Sequence, residues 1–286
     1  MKFWIPFMFD PLEQAADVAR AAEEFGYEGL ALADHVVVPE TFASVHPSGE
    51  TPFTAETPFP DTFTTMTAMA AATTRLRFMS YVYILPMRDP YGVAKQVGTA
   101  AILSDYRMVL GTGVGWLAEE FEQQGQDFST RGARTDEALA ILRDFWDDGW
   151  AEHHGRFYDL PRSGMFPVPA GPIPVWVGGK SDAALARAVR QDGWLGMNYP
   201  LDEVERLLAR LAEMRREAGD TRPEFEVFVI PEAMPSLDLY KRLADLGVTS
   251  TMGFGWAPGD PAAADLSAKR EGLARFAEAF VEPLAG

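Results

Sequence analysis

Eight times along this chain a short run of apolar and β-branched residues gives way to a segment whose apolar residues recur at helical spacing. The strand-like runs cover residues 2–8, 29–33, 76–85, 107–111, 173–177, 194–197, 226–230 and 250–254. The helical segments cover 11–25, 61–73, 91–103, 134–148, a stretch from 182, then 201–218, 235–246 and 261–279. The second to sixth runs are almost wholly apolar, as strands covered on both faces are. Right-handed βα units repeated eight times close into a barrel with the helices outside. The pattern therefore predicts an α/β fold, a (β/α)8 TIM barrel spanning 1–286 as one domain, with long loops after strands 2 and 4. An open doubly wound sheet is the alternative. The first βα turn, "MFDPLEQ", lacks the G-x-G-x-x-G fingerprint that its dinucleotide-binding version needs.

Local signals agree with this rhythm. In 201–218, Leu201, Val204, Leu207, Leu208, Leu211 and Met214 form one apolar stripe, with Asp202, Glu203, Glu205, Arg210 and Glu213 on the other faces. Asp10 suits the cap of the first helix, Pro11 its first position and Gly26 its end. The loops 36–60 and 149–172 are long enough to be lids or insertions.

Composition narrows the chemistry. Cysteine is absent, which excludes disulfides, thiolate metal sites and a Cys nucleophile. A net charge of −17 repels nucleic acid and anionic membranes and leaves a small molecule as the expected partner. No stretch of about 18 apolar residues predicts a membrane span. The opening "MKFWIPFMFDPLEQ" reads as a first strand rather than a signal peptide, so a cytoplasmic location is expected. A phosphorylated cofactor would need local Lys, Arg or helix N-termini to offset the acidic field.

Barrel enzymes collect their sites at the C-terminal ends of the strands. The second strand ends in Asp34 and His35, the third in "SYVYILPMRDP", the fourth in "GTGVGW" (Gly111–Trp116), the fifth in "GGKSD", the sixth in Asn198 and Tyr199, and the eighth in "GFGW". His35 is a candidate general acid/base, or a core histidine bonded to Asp34 or to backbone. Alternate glycines in "GTGVG" would let a flat ligand lie on backbone, or would mark a tight turn or bulge. Gly178, Gly179 and Lys180, followed by Ser181 or Asp182 as a cap, suit a phosphate at a helix start, or an ordinary glycine turn. Arg131 and Arg134 in "RGARTDE" either reach a phosphate or make local ion pairs. Four His in all are too few for a metal hydrolase, and no metal site is expected at His153 and His154. Lys180 follows two glycines rather than lying inside the barrel, against a Schiff base, and no G-x-S-x-G elbow is present. The chemistry is then expected to belong to a bound cofactor.

The segments "ADHVVVPE", "FPDTFTTMTAMAAATTRLRF", "ILPMRDPYGVAKQVGT", "VLGTGVGWLAEEFEQQGQDFSTRGARTDEALAIL", "GRFYDL" and "PIPVWVGGKSDAALARA" fall in family-like order and spacing. Together the chain resembles the luciferase-like monooxygenase superfamily, and more closely its branch that uses the deazaflavin coenzyme F420. The resemblance implies a flavin-type ring at the barrel mouth with Asp34 and His35 at its reactive side. It implies a bulge with a non-prolyl cis peptide at Ser80, Tyr81 and Val82, backbone contacts to the ring from Thr112, Gly113 and Val114, and the cofactor phosphate at Gly178, Gly179 and Lys180. Trp116 and the 36–60 loop would shape the substrate wall. Where relatives that oxidise sugar phosphates carry a catalytic Glu, Trp116 stands, so that substrate is not implied. "LSDYR" (103–107) replaces the usual "LSGGR", and Tyr81 replaces a common Gly, narrowing the pocket. The expected activity is hydride transfer between F420 and a small organic substrate, with His35 handling a proton and Asp34 fixing its tautomer. The alternatives are an FMN-dependent luciferase-like monooxygenase that uses O2, and a non-catalytic flavin-binding barrel. Family habit implies a homodimer.

Overall fold

The structure is a computed structural model and describes residues 1–257 and 264–284. Eight parallel strands close on themselves. Going round the barrel they are β1 (Lys2–Pro6), β2 (Gly29–Leu32), β3 (Arg77–Ser80), β5 (Met108–Gly113), β8 (Val175–Gly178), β9 (Gly193–Tyr199), β10 (Glu226–Pro231) and β11 (Ser250–Met252), which pairs back onto β1. A two-residue strand, β4 (Tyr83–Ile84), prolongs the third position upward beside β5. Seven of the intervening or closing segments carry helices: α1 (Ala15–Glu24), α2 (Thr62–Ala70), α3 (Pro90–Leu103), α5 (Arg131–Asp148), α6 (Asp182–Val189), α7 (Leu201–Glu217) and α8 (Leu237–Asp245). α9 (Leu266–Phe276) closes the ring against α1.

The period-two pattern of the strands explains both sides of the wall. Trp4, Ala31, Met79, Val109, Trp176, Leu195, Phe228, Ile230 and Met252 pack together inside the barrel. Their neighbours Phe3, Ile5, Leu30, Leu32, Phe78, Val175, Val177, Trp194, Val227 and Val229 pack outward under the helices. At the N-terminal end the Arg77 guanidinium lies 5.7 Å from the Trp4 ring and 5.6 Å from the Trp176 ring, and donates to Glu28 at 2.8 Å. The barrel is thus filled below and open above.

Several expectations need correction. Asp10 does not cap α1. A 3-10 turn, Leu12–Gln14, leads into that helix, and Asp10 instead forms a buried ion pair with Lys269 at 2.7 Å. The segment 149–172 is not simply a loop. It carries an antiparallel hairpin, β6 (Trp150–His154) and β7 (Asp159–Gly164), whose polar, largely exposed residues hide the strand alternation. A short helix, α4 (Ala118–Gln123), follows β5; its six residues are too few to show a period. α5 starts at Arg131, three residues before the predicted start. The third run breaks where the Tyr81–Val82 peptide is cis, as the resemblance implied. Asp105 and Tyr106, which replace the usual glycine pair, both hold left-handed backbone, φ 56° and 59°. The predicted start of the last helix, Pro261, lies outside the described residues; that helix is capped by Asp265, which accepts from the Ser267 amide. Among the described residues no helix is long and apolar enough to cross a membrane.

Candidate active site

A cavity of about 800 Å³ opens at the C-terminal ends of the strands. That is the size of a cofactor or drug-sized ligand site. Its floor is Tyr81, Val82, Met197, Ile230, Met252 and Phe254, and its side wall holds Asp34, His35, Trp116 and Glu120. Among the described residues no group of three or more His, Cys, Asp or Glu stands close enough to hold a metal ion.

β2 ends at Leu32, and the chain turns so that Asp34 and His35 point to different partners. Asp34 is held away from His35's ring nitrogens. Its carboxylate accepts from Arg88 Nη2 at 2.8 Å, from the Ile84 amide at 3.2 Å and from Thr62 Oγ1 at 3.3 Å. Burial pushes the Asp34 carboxyl up, against the opposing pull of Arg88 and the Ile84 amide. The tautomer of His35 is fixed by Glu120, not by Asp34. His35 Nδ1 lies 2.8 Å from Glu120 Oε2, and Glu120 Oε1 accepts from the Val36 amide at 2.6 Å and the Val37 amide at 3.3 Å. A carboxylate that only accepts places the proton on Nδ1 and leaves His35 Nε2 without a partner among the described residues. Glu120 is 1% exposed. It was missed because its helix is short and its neighbours Glu119 and Glu122 make it look like one acid in a solvated run. The usable signal was its place, an acid just after the fourth barrel strand. Arg88 was missed as well, although it lies in the "SYVYILPMRDP" that follows the third strand.

The 36–60 loop folds over the mouth and brings an aromatic wall. The His35 ring lies 4.9 Å from that of Phe53 and 4.8 Å from that of Phe59, and Trp116 lies 5.0 Å from His46 and 6.2 Å from Phe53. α4 tethers this loop. Glu119 accepts from the amides of Ala43 at 2.7 Å and Ser44 at 3.2 Å, and the Ala118 amide donates to Ser44 Oγ at 3.0 Å.

The structure gathers Asp34, His35, Tyr81, Val82 and Trp116 around one cavity. It removes two side chains from any contact with a ligand. Ser80 and Thr112 are 0% exposed; Ser80 Oγ donates to Gly111 O and Thr112 Oγ1 to Tyr83 O, so both stitch the barrel wall. The glycines of "GTGVG" make room for neighbouring protein, and Gly115 also lines the cavity. A Cβ on Gly111 would stand 1.9 Å from the Ser80 carbonyl, one on Gly113 2.8 Å from Val82 Cγ2, and one on Gly115 2.7 Å from the Phe121 ring. Val114 is half-buried beside them. Tyr81 donates to Gly196 O at 2.6 Å and packs on Phe228, and burial holds its phenol well above the ordinary value. Gly178, Gly179 and Lys180 lie outside the cavity lining, at the start of α6, where Ser181 Oγ accepts from the Ala184 amide. Lys180 is exposed, 3.5 Å from Glu203. Arg134 bonds Gln126 and Tyr158, and Arg131 stacks on Phe128, so both serve local structure.

Residues 4–236 match the family model for luciferase-like monooxygenases. An uncharacterized protein of Mycobacterium tuberculosis is 42% identical over 238 residues, 82% of each chain. Among solved structures, the coenzyme F420-dependent tetrahydromethanopterin reductase from Methanopyrus kandleri aligns with a TM-score of 0.74 at 15% identity over 99% of both chains. The oxygenating constituent of 3,6-diketocamphane monooxygenase from Pseudomonas putida, in complex with FMN, aligns with a TM-score of 0.62 at 17% identity, over 85% of this chain and 71% of that one.

Proposed function

The chain belongs to the luciferase-like monooxygenase family and is an oxidoreductase, and on that premise we propose that it transfers a hydride between coenzyme F420 and a small organic substrate. The observation that carries this reading is His35: half-buried at the cavity wall, braced at Nδ1 by Glu120, and with Nε2 left for a proton at the substrate. The fold likeness to an F420-dependent reductase over the full length of both chains supports the choice of F420 over FMN.

The cavity fits a flavin-type ring. Its volume suffices, and Tyr81, Val82, Met197, Ile230 and Met252 offer an apolar floor for a flat heterocycle. Gly178, Gly179 and Lys180, with the first-turn amides of α6, are our candidates for its phosphate. When bound, a deazaflavin supplies a two-electron hydride donor or acceptor. The chain's own residues do the rest. His35 Nε2 takes or gives the proton at the substrate heteroatom. Glu120 keeps the imidazole oriented and stabilises it when charged. Asp34 and Arg88 lock the strand end from which His35 projects. The 36–60 loop screens the reacting atoms from water.

Titration of the purified protein with F420, followed by fluorescence, tests the assignment. Saturable binding and turnover of reduced F420 with an organic acceptor are expected. No binding at tens of micromolar, together with a yellow protein and oxygen-dependent turnover of reduced FMN, would replace it by the FMN monooxygenase reading.

A further inference from the structure

Among the described residues the lining of the cavity contains no Lys and no Arg. The acids among them, Asp34 and Glu120, are already engaged by Arg88 and by His35, each at 2.8 Å. The whole chain carries −17. A carboxylate or phosphate drawn into this space would lose its water and meet no counter-charge. An ammonium group would find both acids taken. What the walls offer instead is aromatic edge and face: Phe53, Phe59 and Trp116, with ring separations of 5.2 Å between Phe53 and Phe59 and 6.2 Å between Phe53 and Trp116.

Two imidazoles share this wall, and they differ in hydrogen-bonding sense. Bonded to Glu120 through Nδ1–H, the His35 ring in its uncharged form presents Nε2 as an acceptor. His46, brought by the 36–60 loop, receives the Ser48 amide at Nδ1, 3.2 Å, with Ser48 Oγ 2.6 Å from the same nitrogen. An amide can only donate, so Nδ1 of His46 is the acceptor and its Nε2 carries the proton. His46, which lines the cavity, thus carries its ring proton on Nε2. Burial pulls its pKa down from the ordinary 6.5, which favours the uncharged ring at neutral pH. The ring stacks edge-on to Trp116 at 5.0 Å.

We infer that the substrate is an uncharged, ring-bearing molecule with an oxygen substituent, its ring against Phe53, Phe59 and Trp116 and its oxygen bound through the acceptor on His35 and the donor on His46. This rests on the oxidoreductase reading above and specifies what that site accepts; it makes His46 a second residue that touches substrate.

Three ligands matched in ring size test it: 2-naphthol, naphthalene and 2-naphthoate. Each is titrated by fluorescence into the full chain, without and with saturating F420, and into the His46→Phe variant, which keeps an aromatic ring beside Trp116 and removes the donor. Expected is tightest binding for 2-naphthol and at least about tenfold weaker binding for 2-naphthoate. His46→Phe should cost 2-naphthol about three- to tenfold and leave naphthalene unchanged. Equal or tighter binding of 2-naphthoate would overturn the inference. So would an equal loss for naphthalene in His46→Phe, which marks a packing role, or displacement of 2-naphthol by F420, which puts it in the cofactor's place. If F420 fails to bind while the ligand order holds, the cofactor assignment falls alone.

Discussion

His35 Nδ1 and the Glu120 carboxylate lie 2.8 Å apart although 85 residues separate them in the chain. The barrel brings them together from the ends of its second and fourth strands. A neutral amide in place of the carboxylate would keep the shape and lose the charge that steadies the imidazole. Glu120→Gln is expected to lower kcat by about tenfold to a hundredfold with cofactor affinity unchanged. Steady-state kinetics alongside a direct F420 titration separates the two; a matching loss of cofactor binding would mean that Glu120 only holds the loop.

Removing the imidazole itself should be more severe. His35→Ala is expected to reduce kcat by about 10²- to 10⁴-fold while the protein still binds its cofactor. Unchanged turnover would leave only a barrel that binds flavin.

The Asp34–Arg88 pair is nearly sealed, with 4% and 17% of the two side chains exposed. Arg88→Met leaves Asp34 without its counter-charge and should cost about 3–5 kcal/mol, a fall in Tm on the order of 10 °C. Adding Asp34→Asn should recover much of it. A differential scanning measurement on the two variants decides the point, and equal melting temperatures would refute it.

Gly111→Ala should be among the most damaging single changes in the barrel, since its Cβ would meet a backbone carbonyl at 1.9 Å. A loss of about 3 kcal/mol or more is expected from thermal unfolding. Gly132→Ala, on α5 with 3.6 Å of clearance to Arg187, is the control and should gain about 0.5–1 kcal/mol.

The tether of the 36–60 loop has its own pH window. Hydrogen bonds from the Ser44 hydroxyl and, against a small burial cost, from the amides of Ala43 and Ser44 hold the Glu119 carboxyl down at about 2, from an ordinary 4.5. Because the value is depressed when the loop is docked, the anchorage is complete above 4.5, weakens as pH falls and is gone below about 2. The ratio of amide-exchange protection at Ala43 and Ser44 between wild type and Glu119→Gln should follow that course. A ratio that stays flat with pH would deny Glu119 this role.

The closed barrel was legible because its cause is local: apolar runs such as those ending in Leu32 and Val177 are visible without knowledge of any neighbour. The position of His35 was legible for the same reason, as an ionisable group at the end of a buried run. Its true partner was not. Asp34 is adjacent in sequence yet turns to Arg88, while Glu120 arrives from another strand, and nothing in the spacing of the two segments encodes that approach. The "GTGVG" glycines were legible as points of close approach, but not the bodies that approach them, the neighbouring strand and side chains such as Val82 and Phe121. His46 lies in a Pro-rich loop without periodicity, where only the folded chain shows which way a side chain faces.

Arg77, stacked beneath Trp4 and Trp176, gives the molecule a stopper at one end. Traffic through the barrel is therefore one-way-in, same-way-out. Everything that enters the cavity must leave by the mouth it came through, past the 36–60 loop, so that loop stands on both the way in and the way out.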